Sequence, residues 1–278
     1  MKLDVARPAS AGAEATGSRE AYAYTGGKPF DATLPTIVFV HGALHDHSVW
    51  TLPARWFAHH GHGVLAVDLP GHGRSAGPAL DSVEAMADWL LAVLDAAGVE
   101  AASLVGHSMG SLVALEAAAR APKRAHHLVM VGTAYPMVVS PALLEAAARD
   151  PQAAMASVNV FSHSTQAAKP SHPGPGAWLR GGNAALMRRM QAGDPEGNLF
   201  LTDFQACNAY CGGLEAAARV ACRSTLVLGQ RDQMAVAKDA KALTDALDVT
   251  PVAVDAGHAL MSEAPQALLE ALRRAVVG

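Results

Sequence analysis

Ser108 sits in the pentapeptide Gly106-His107-Ser108-Met109-Gly110, a setting in which a serine can act as a nucleophile if two further groups reach it. A serine hydroxyl is weak at neutral pH. It becomes effective when a base lies within roughly 2.6–3.2 Å and a third group orients that base. The sequence must therefore also supply a histidine and a carboxylate. With 13 histidines in the chain, position has to decide among them.

The elements on either side define what the pentapeptide does. A short apolar run, Ala102 to Val105, enters it, and an alanine-rich amphipathic run, Leu112 to Arg120, leaves it. That order predicts strand, sharp turn, helix. Such a turn lifts its serine clear of the sheet, and Gly106 and Gly110 stand where any Cβ would meet the neighbouring strand or helix. Met109 falls in the first helical turn, whose N–H groups lack intrahelical partners, so its amide is expected to face a developing oxyanion.

Other apolar runs extend this pattern. Thr36–Val40 ends in His41-Gly42, Val64–Val67 ends in Asp68, and His127–Gly132 and Ser224–Leu228 read as further strands, with another around Thr250–Val254. Glu20–Tyr24 reads as a short strand before a Gly26-Gly27 turn. Helical spacing marks Trp50–His60, with Trp50, Leu52, Trp56 and Phe57 as its candidate buried side. Ser82–Ala97 is a clearer helix, with Asp81 or Ser82 as N-cap and Gly98 as its stop. Val236–Leu247 and Pro265–Val276 complete the helical set. Continuous apolar strands alternating with helices predict an α/β fold with a mostly parallel sheet buried on both faces.

In such a sheet, functional groups gather at the carboxyl ends of the strands. Asp232 lies three residues beyond Gly229, and His258 follows the last strand in a Gly257-His258 pair. The order serine, aspartate, histidine is the one expected of this turn. Asp255 competes for the acid role, but it lies three residues before His258 and would have to reach around its own loop.

From Thr133 to about Leu214 the pattern changes to helices and proline-rich loops, including Pro141, Pro151, Pro170, Pro173, Pro175 and Pro195. The expected organisation is a loose N-terminal arm at 1–19, a core of 20–134 and 214–278, and a helical insertion at 135–213.

Composition bounds the partners. At 278 residues and 51% hydrophobic content the chain has ample material for a core. A net charge of −4 with no basic cluster argues against a nucleic-acid groove or an anionic membrane surface and for a small, weakly charged, apolar partner. No apolar run reaches the roughly 18 residues of a membrane span. Met1–Glu20 has no hydrophobic segment of the secretory kind, so a cytoplasmic location is expected. Nothing in the sequence sets the oligomeric state. Cys207, Cys211 and Cys222 are an odd count that suits reduced thiols, with Cys207 and Cys211 expected on one helix face. His45, Asp46 and His47 are read as loop or pocket residues, because no fourth ligand accompanies them.

Taken together, the chain resembles the α/β-hydrolase fold superfamily from about Glu20 to Val277, in its serine-nucleophile branch with a helical cap. Five motifs carry the likeness: His41-Gly42, Asp68-Leu69-Pro70-Gly71-His72-Gly73-Arg74-Ser75, Gly106 to Gly110, Gly229-Gln230-Arg231-Asp232, and Gly257-His258. The resemblance implies Ser108 as nucleophile, His258 as base and Asp232 as orienting acid. It implies an oxyanion hole from the amides of Ala43 and Met109, with Leu44 a weaker candidate donor. Two departures stand out: Ser111 replaces a glycine common after the turn, and the strand before Asp232 lacks an introducing proline.

The implied reaction is hydrolysis of carboxylic esters with small or medium apolar acyl groups through an acyl-enzyme, a chemistry that needs no metal or organic cofactor. A serine nucleophile sets the chain apart from haloalkane dehalogenases and epoxide hydrolases, whose aspartate forms an alkyl ester. C–C bond, lactone or thioester hydrolysis, perhydrolysis, acid–base lyase chemistry and a slow-turnover ligand sensor are the alternatives. The insertion is expected to choose the substrate through Met137, Trp178 and Phe204. Val138, Met155, Phe161, Leu179, Met187, Met190, Phe200 and Tyr210 are further candidates, more than half of this set being core.

Overall fold

Strands with apolar side chains at every position need cover on both faces, and the helices supply it. The computed structural model describes residues 1–6, 17–165, 178–194 and 197–278. Its strands are β1 (Lys2–Ala6), β2 (Ser18–Tyr24), β3 (Thr36–Val40), β4 (Gly63–Val67), β5 (Ala102–His107), β6 (Ala125–Val131), β7 (Arg223–Gly229) and β8 (Val252–Val254). They form one eight-stranded sheet in the order β1-β2-β4-β3-β5-β6-β7-β8. The β1–β2 and β2–β4 pairs are antiparallel and the remaining pairs parallel, so the expected α/β class holds.

Alternate side chains go to opposite faces. Ile37, Phe39, Val64, Val105, Val129 and Val227 pack against α1 (Thr51–Ala58) and α11 (Pro265–Val276). Val38, Val40, Leu65, Leu104, Leu128 and Leu226 pack toward α2 (Val83–Ala96) and α3 (Met109–Arg120). Between β6 and β7 lie α4 (Pro141–Arg149), α5 (Pro151–Phe161), α6 (Leu179–Ala192), α7 (Leu199–Ala209) and α8 (Gly213–Arg219). Two shorter helices, α9 (Lys241–Ala246) and α10 (Leu260–Glu263), flank β8.

The structure corrects several readings. Residues 2–6, expected in a loose arm, form an edge strand whose alternating Leu3 and Val5 are buried; the alternation spans too few residues to stand out from sequence. Residues 7–16 of that arm, with Pro170, Pro173, Pro175 and Pro195, lie outside the described residues. The helix expected at Trp50–His60 begins with a 3₁₀ turn, His47–Trp50. Trp50 and Phe57 are buried as expected, but Leu52 is 60% exposed because it falls on the outer side of α1. Cys211 lies past the end of α7, so it shares no helix face with buried Cys207. The helix expected at Val236–Leu247 is a 3₁₀ turn followed by α9.

The central crossing of strand and helix is very close. A Cβ on Gly106 would come within 2.0 Å of Gly110 O, and one on Gly110 within 2.4 Å of His41 O and 2.5 Å of Val40 O. Both obstacles are backbone and cannot rotate aside. Gly110→Ala is therefore expected to destabilise the protein by about 3 kcal/mol or more, measured as a lower urea midpoint with an unchanged slope.

Candidate active site

The turn between β5 and α3 holds Ser108 at φ 52°, ψ −121°, a left-handed backbone rare for a residue with a Cβ. Its N–H donates to Val131 O at 2.9 Å, fastening the turn to the end of β6. Ser111 supports it from below, with its Oγ 2.5 Å from Ser108 O and 2.8 Å from Thr133 Oγ1. The hydroxyl that departs from the common glycine is thus absorbed into the turn's own bonding.

His258 and Asp232 meet as the sequence implied. His258 Nδ1 lies 2.7 Å from Asp232 Oδ2, and both side chains are almost wholly buried. Asp232 Oδ1 accepts from the amides of Met234 at 2.8 Å and Ala235 at 2.9 Å, which aims the other oxygen at the imidazole. A carboxylate facing Nδ1 fixes the proton there and leaves the lone pair on Nε2. Asp255 is turned away: it is exposed and pairs with Arg231 at 2.6 Å. Ser108, His258 and Ala43 line two cavities in common.

Leu44 is excluded as an oxyanion donor. Its N–H donates to Asp203 Oδ2 at 2.8 Å, while Leu44 itself takes φ 55°. Asp203, on α7, is fully buried and also bonds His72 Nε2 at 3.0 Å. His72 Nδ1 faces Pro70 O at 3.1 Å, so both ring nitrogens face acceptors and both must carry hydrogen. Burial by itself would lower the His72 pKa; the Asp203 charge and hydrogen bond outweigh that and raise it above the ordinary value. The Asp203 carboxylate thus clamps α7 to two loops, to that of His72 by a buried ion pair and to that of Ala43 by the Leu44 N–H.

Two more buried histidines take the opposite state. His41 Nδ1 donates to Gly42 O at 2.8 Å and Nε2 accepts from Leu69 N at 3.0 Å, so the ring is neutral, and burial lowers its pKa to about 4. His41 thus ties its own loop to the one after β4. His107 Nε2 donates to His258 O at 2.9 Å, and burial, with the nearby His258, lowers its pKa. Sequence reasoning overlooked His107, Asp203 and Glu263. Glu263 accepts from Gly257 N at 3.2 Å and from the hydroxyl of Ser164 at 2.5 Å, steadying the loop before His258. Apart from Gly257, six residues before Glu263, their partners are far away in the chain, so local spacing carries no sign of them.

Asp68 holds its own loop, accepting from His47 Nδ1 at 2.8 Å and Arg74 N at 2.9 Å. Asp46, His47 and Asp68 place one ligand atom each within 4.8 Å of one another. All three are engaged, Asp46 with Ser48 and with Arg189 at 2.7 Å.

The larger cavity, about 510 Å³, is mostly apolar and is lined by Met137, Val138, Leu143, Phe161, Phe204 and Met234 among others. Met137 and Phe204, two of the three residues expected to choose the substrate, are on its wall. Trp178 is not: it is 52% exposed at the start of α6, its indole lies over Gly181, and it lines neither cavity. Met155, Met190, Phe200 and Tyr210 are packing residues of the inserted helices. No helix among the described residues is long and apolar enough to cross a membrane.

The α/β hydrolase family model matches residues 37–271. Among curated proteins, the acetyltransferase component of the acetoin cleaving system of Cupriavidus necator is 37% identical over 121 residues, 43% of this chain and 30% of that protein. The sn-1-specific diacylglycerol lipase of Mus musculus is 38% identical over 102 residues, 36% of this chain and 33% of that one. The matches to these curated relatives thus span about a third of their length. Among solved structures, an esterase from Exiguobacterium antarcticum superposes with a TM-score of 0.79 at 15% identity, covering 100% of this chain and 99% of that one. The enol-lactonase of Burkholderia xenovorans LB400 gives 0.76 at 19% identity, covering 94% and 97%. These likenesses fix the fold.

The His72–Asp203 pair has a definite pH signature. A raised folded pKa means that the stability it contributes is complete below the unfolded imidazole value of about 6.5 and is lost as pH rises through the folded pKa. Asp203→Ala is expected to cost roughly 3–5 kcal/mol at pH values below about 6.5, with the deficit narrowing at alkaline pH. Urea unfolding of both proteins across the pH range measures it.

Proposed function

The chain belongs to the α/β hydrolase family, and from that premise we propose that it is a serine hydrolase of carboxylic esters with small or medium apolar acyl groups. The observation that carries the reading is the placing of Ser108 and the Asp232-oriented His258 on the wall of one apolar cavity of about 510 Å³. That volume falls within the range of small-molecule sites.

In the proposed reaction, Ser108 Oγ attacks the acyl carbon while His258 Nε2 takes its proton. Asp232 keeps the imidazole in the required tautomer and stabilises the imidazolium that forms. The oxyanion is held by the amides of Met109, at the first position of α3, and of Ala43. His258 then protonates the leaving alkoxide, and water activated by the same nitrogen hydrolyses the acyl-enzyme. Helices α4–α8 act as a cap over the nucleophile, and Met137 and Phe204 hold the acyl chain. The commitment of Leu44 N–H to Asp203 supports Ala43 as the second donor.

Ser108→Ala is expected to abolish p-nitrophenyl ester turnover and labelling by a fluorophosphonate; wild-type turnover in that variant refutes the proposal. Asp232→Asn is expected to lower kcat by about 10³–10⁴-fold, whereas Asp255→Asn leaves it unchanged. Equal losses in the two variants, read from steady-state kinetics, would reassign the acid.

A further inference from the structure

A second cavity, about 30 Å³, opens beside Ser108 and is lined by Ala43, His45, Ser108, Asn183, Met187 and His258 among others. It is the size of one water molecule or hydroxyl group, and part of its wall is a chain of hydrogen-bonded polar side chains. The state of that wall can be worked out from a fixed point. Arg180 O is a backbone carbonyl and can only accept, so the Asn159 nitrogen 2.8 Å away must be Nδ2, which leaves Oδ1 facing Asn183. Asn183 Nδ2 donates to that oxygen at 2.8 Å. Asn183 Oδ1 therefore faces His45 Nε2, also at 2.8 Å, and a ring nitrogen facing an acceptor must carry the hydrogen.

Burial lowers the His45 pKa to about 4, so the ring holds one proton at neutral pH. With that proton on Nε2, Nδ1 presents a bare lone pair. Nδ1 is buried and has no hydrogen-bond partner among the described residues. A buried acceptor left unpaired is costly, and a ligand donor would recover that cost.

We propose that His45 is a specificity-determining residue whose Nδ1 accepts a hydrogen bond from a hydroxyl group close to the scissile carbonyl, so that the favoured substrates are apolar esters bearing such a hydroxyl. The inference rests on the ester-hydrolase reading and deepens it. The two cavities divide the substrate: the large one takes the hydrocarbon, and the small one takes a single polar group held by a ring whose tautomer is locked through Asn183 and Asn159. An asparagine relay of this kind commits two side-chain amides to orienting one nitrogen. A site built to bond a hydroxyl discriminates strongly against the analogue lacking it, because its own polar atom is then left unpaired.

The test uses pairs of esters that differ only in one hydroxyl, placed on the acyl C2, the acyl C3 or the first carbons of the alcohol. Wild-type protein is expected to favour the hydroxylated member of at least one pair by roughly tenfold or more in kcat/KM, and His45→Phe is expected to bring that ratio close to one. No preference in any wild-type pair, or a preference that survives in His45→Phe, overturns the proposal. A second arm needs neither turnover nor the variant. Histidine ¹⁵N NMR of wild-type protein is expected to show His45 protonated on Nε2 at neutral pH, with the Nδ1 resonance moving on addition of the hydroxy acid or diol product and not its deoxy analogue. A proton on Nδ1, or an equal response to both products, overturns it. If wild-type protein hydrolyses none of the esters, the ester reading alone fails, and the resonance arm still decides the role of His45.

Discussion

The left-handed backbone of Ser108 is the constraint on which the site depends. It is not a property of the serine, which would avoid it, but of three pieces of main chain forced together. β3 lies beside β5 in a register that sets Val40 against Gly106. α3 crosses back over both so closely that neither Gly106 nor Gly110 has room for a methyl group. The residue between them has one way to turn. That turn puts the start of α3, the end of β3 and the loop after β8 within reach of one another, and a strained conformation persists because packing over-determines it.

Around this turn the protein uses one residue type in several electrical states. His72 is a cation because both of its nitrogens face acceptors, one of them a buried carboxylate. His41 is neutral because one nitrogen faces a carbonyl and the other an amide N–H. His107 is neutral and spends its single proton on the backbone of the His258 loop. His258 has a carboxylate on one side and a cavity on the other. None of these states is intrinsic to histidine. Each follows from what stands opposite the ring, and in a low-dielectric interior a mismatch would cost a buried unsatisfied group.

That dependence explains what could be read from the chain and what could not. The turn, the strands and the preference for Asp232 over Asp255 rest on short-range patterns, because glycine spacing, apolar runs and strand ends are local. Ser82 as an N-cap and Gly98 as a stop were legible for the same reason, since cap geometry involves neighbours three or four residues apart. Asp203 was not legible. It looks like any helix aspartate until the fold brings it to Leu44, 159 residues earlier, and to His72. His107 reads as the variable position of a pentapeptide until its ring meets the backbone of residue 258. Trp178 was misplaced because an aromatic in a helical insertion satisfies a composition argument whether it faces inward or out. Its exposure is decided by the path of α6, which has no counterpart in a residue count.

The attachment of α7 divides the inserted helices into unequal parts. α7 buries six residues, carries the Asp203 carboxylate into the core, and is followed at once by Tyr210, whose hydroxyl reaches buried Glu116 on α3 at 2.7 Å. Peeling it away would strand a charge and a carboxylate partner in an apolar setting. α4 buries only Ala147, yet Ala142, Leu143 and Ala146 form part of the wall of the large cavity. One helix is thus fixed to the core by buried polar groups, while the other rests on it through a single buried alanine. The wall of the large cavity is accordingly fastened on its α7 side by one carboxylate, which anchors both His72 and the loop of Ala43.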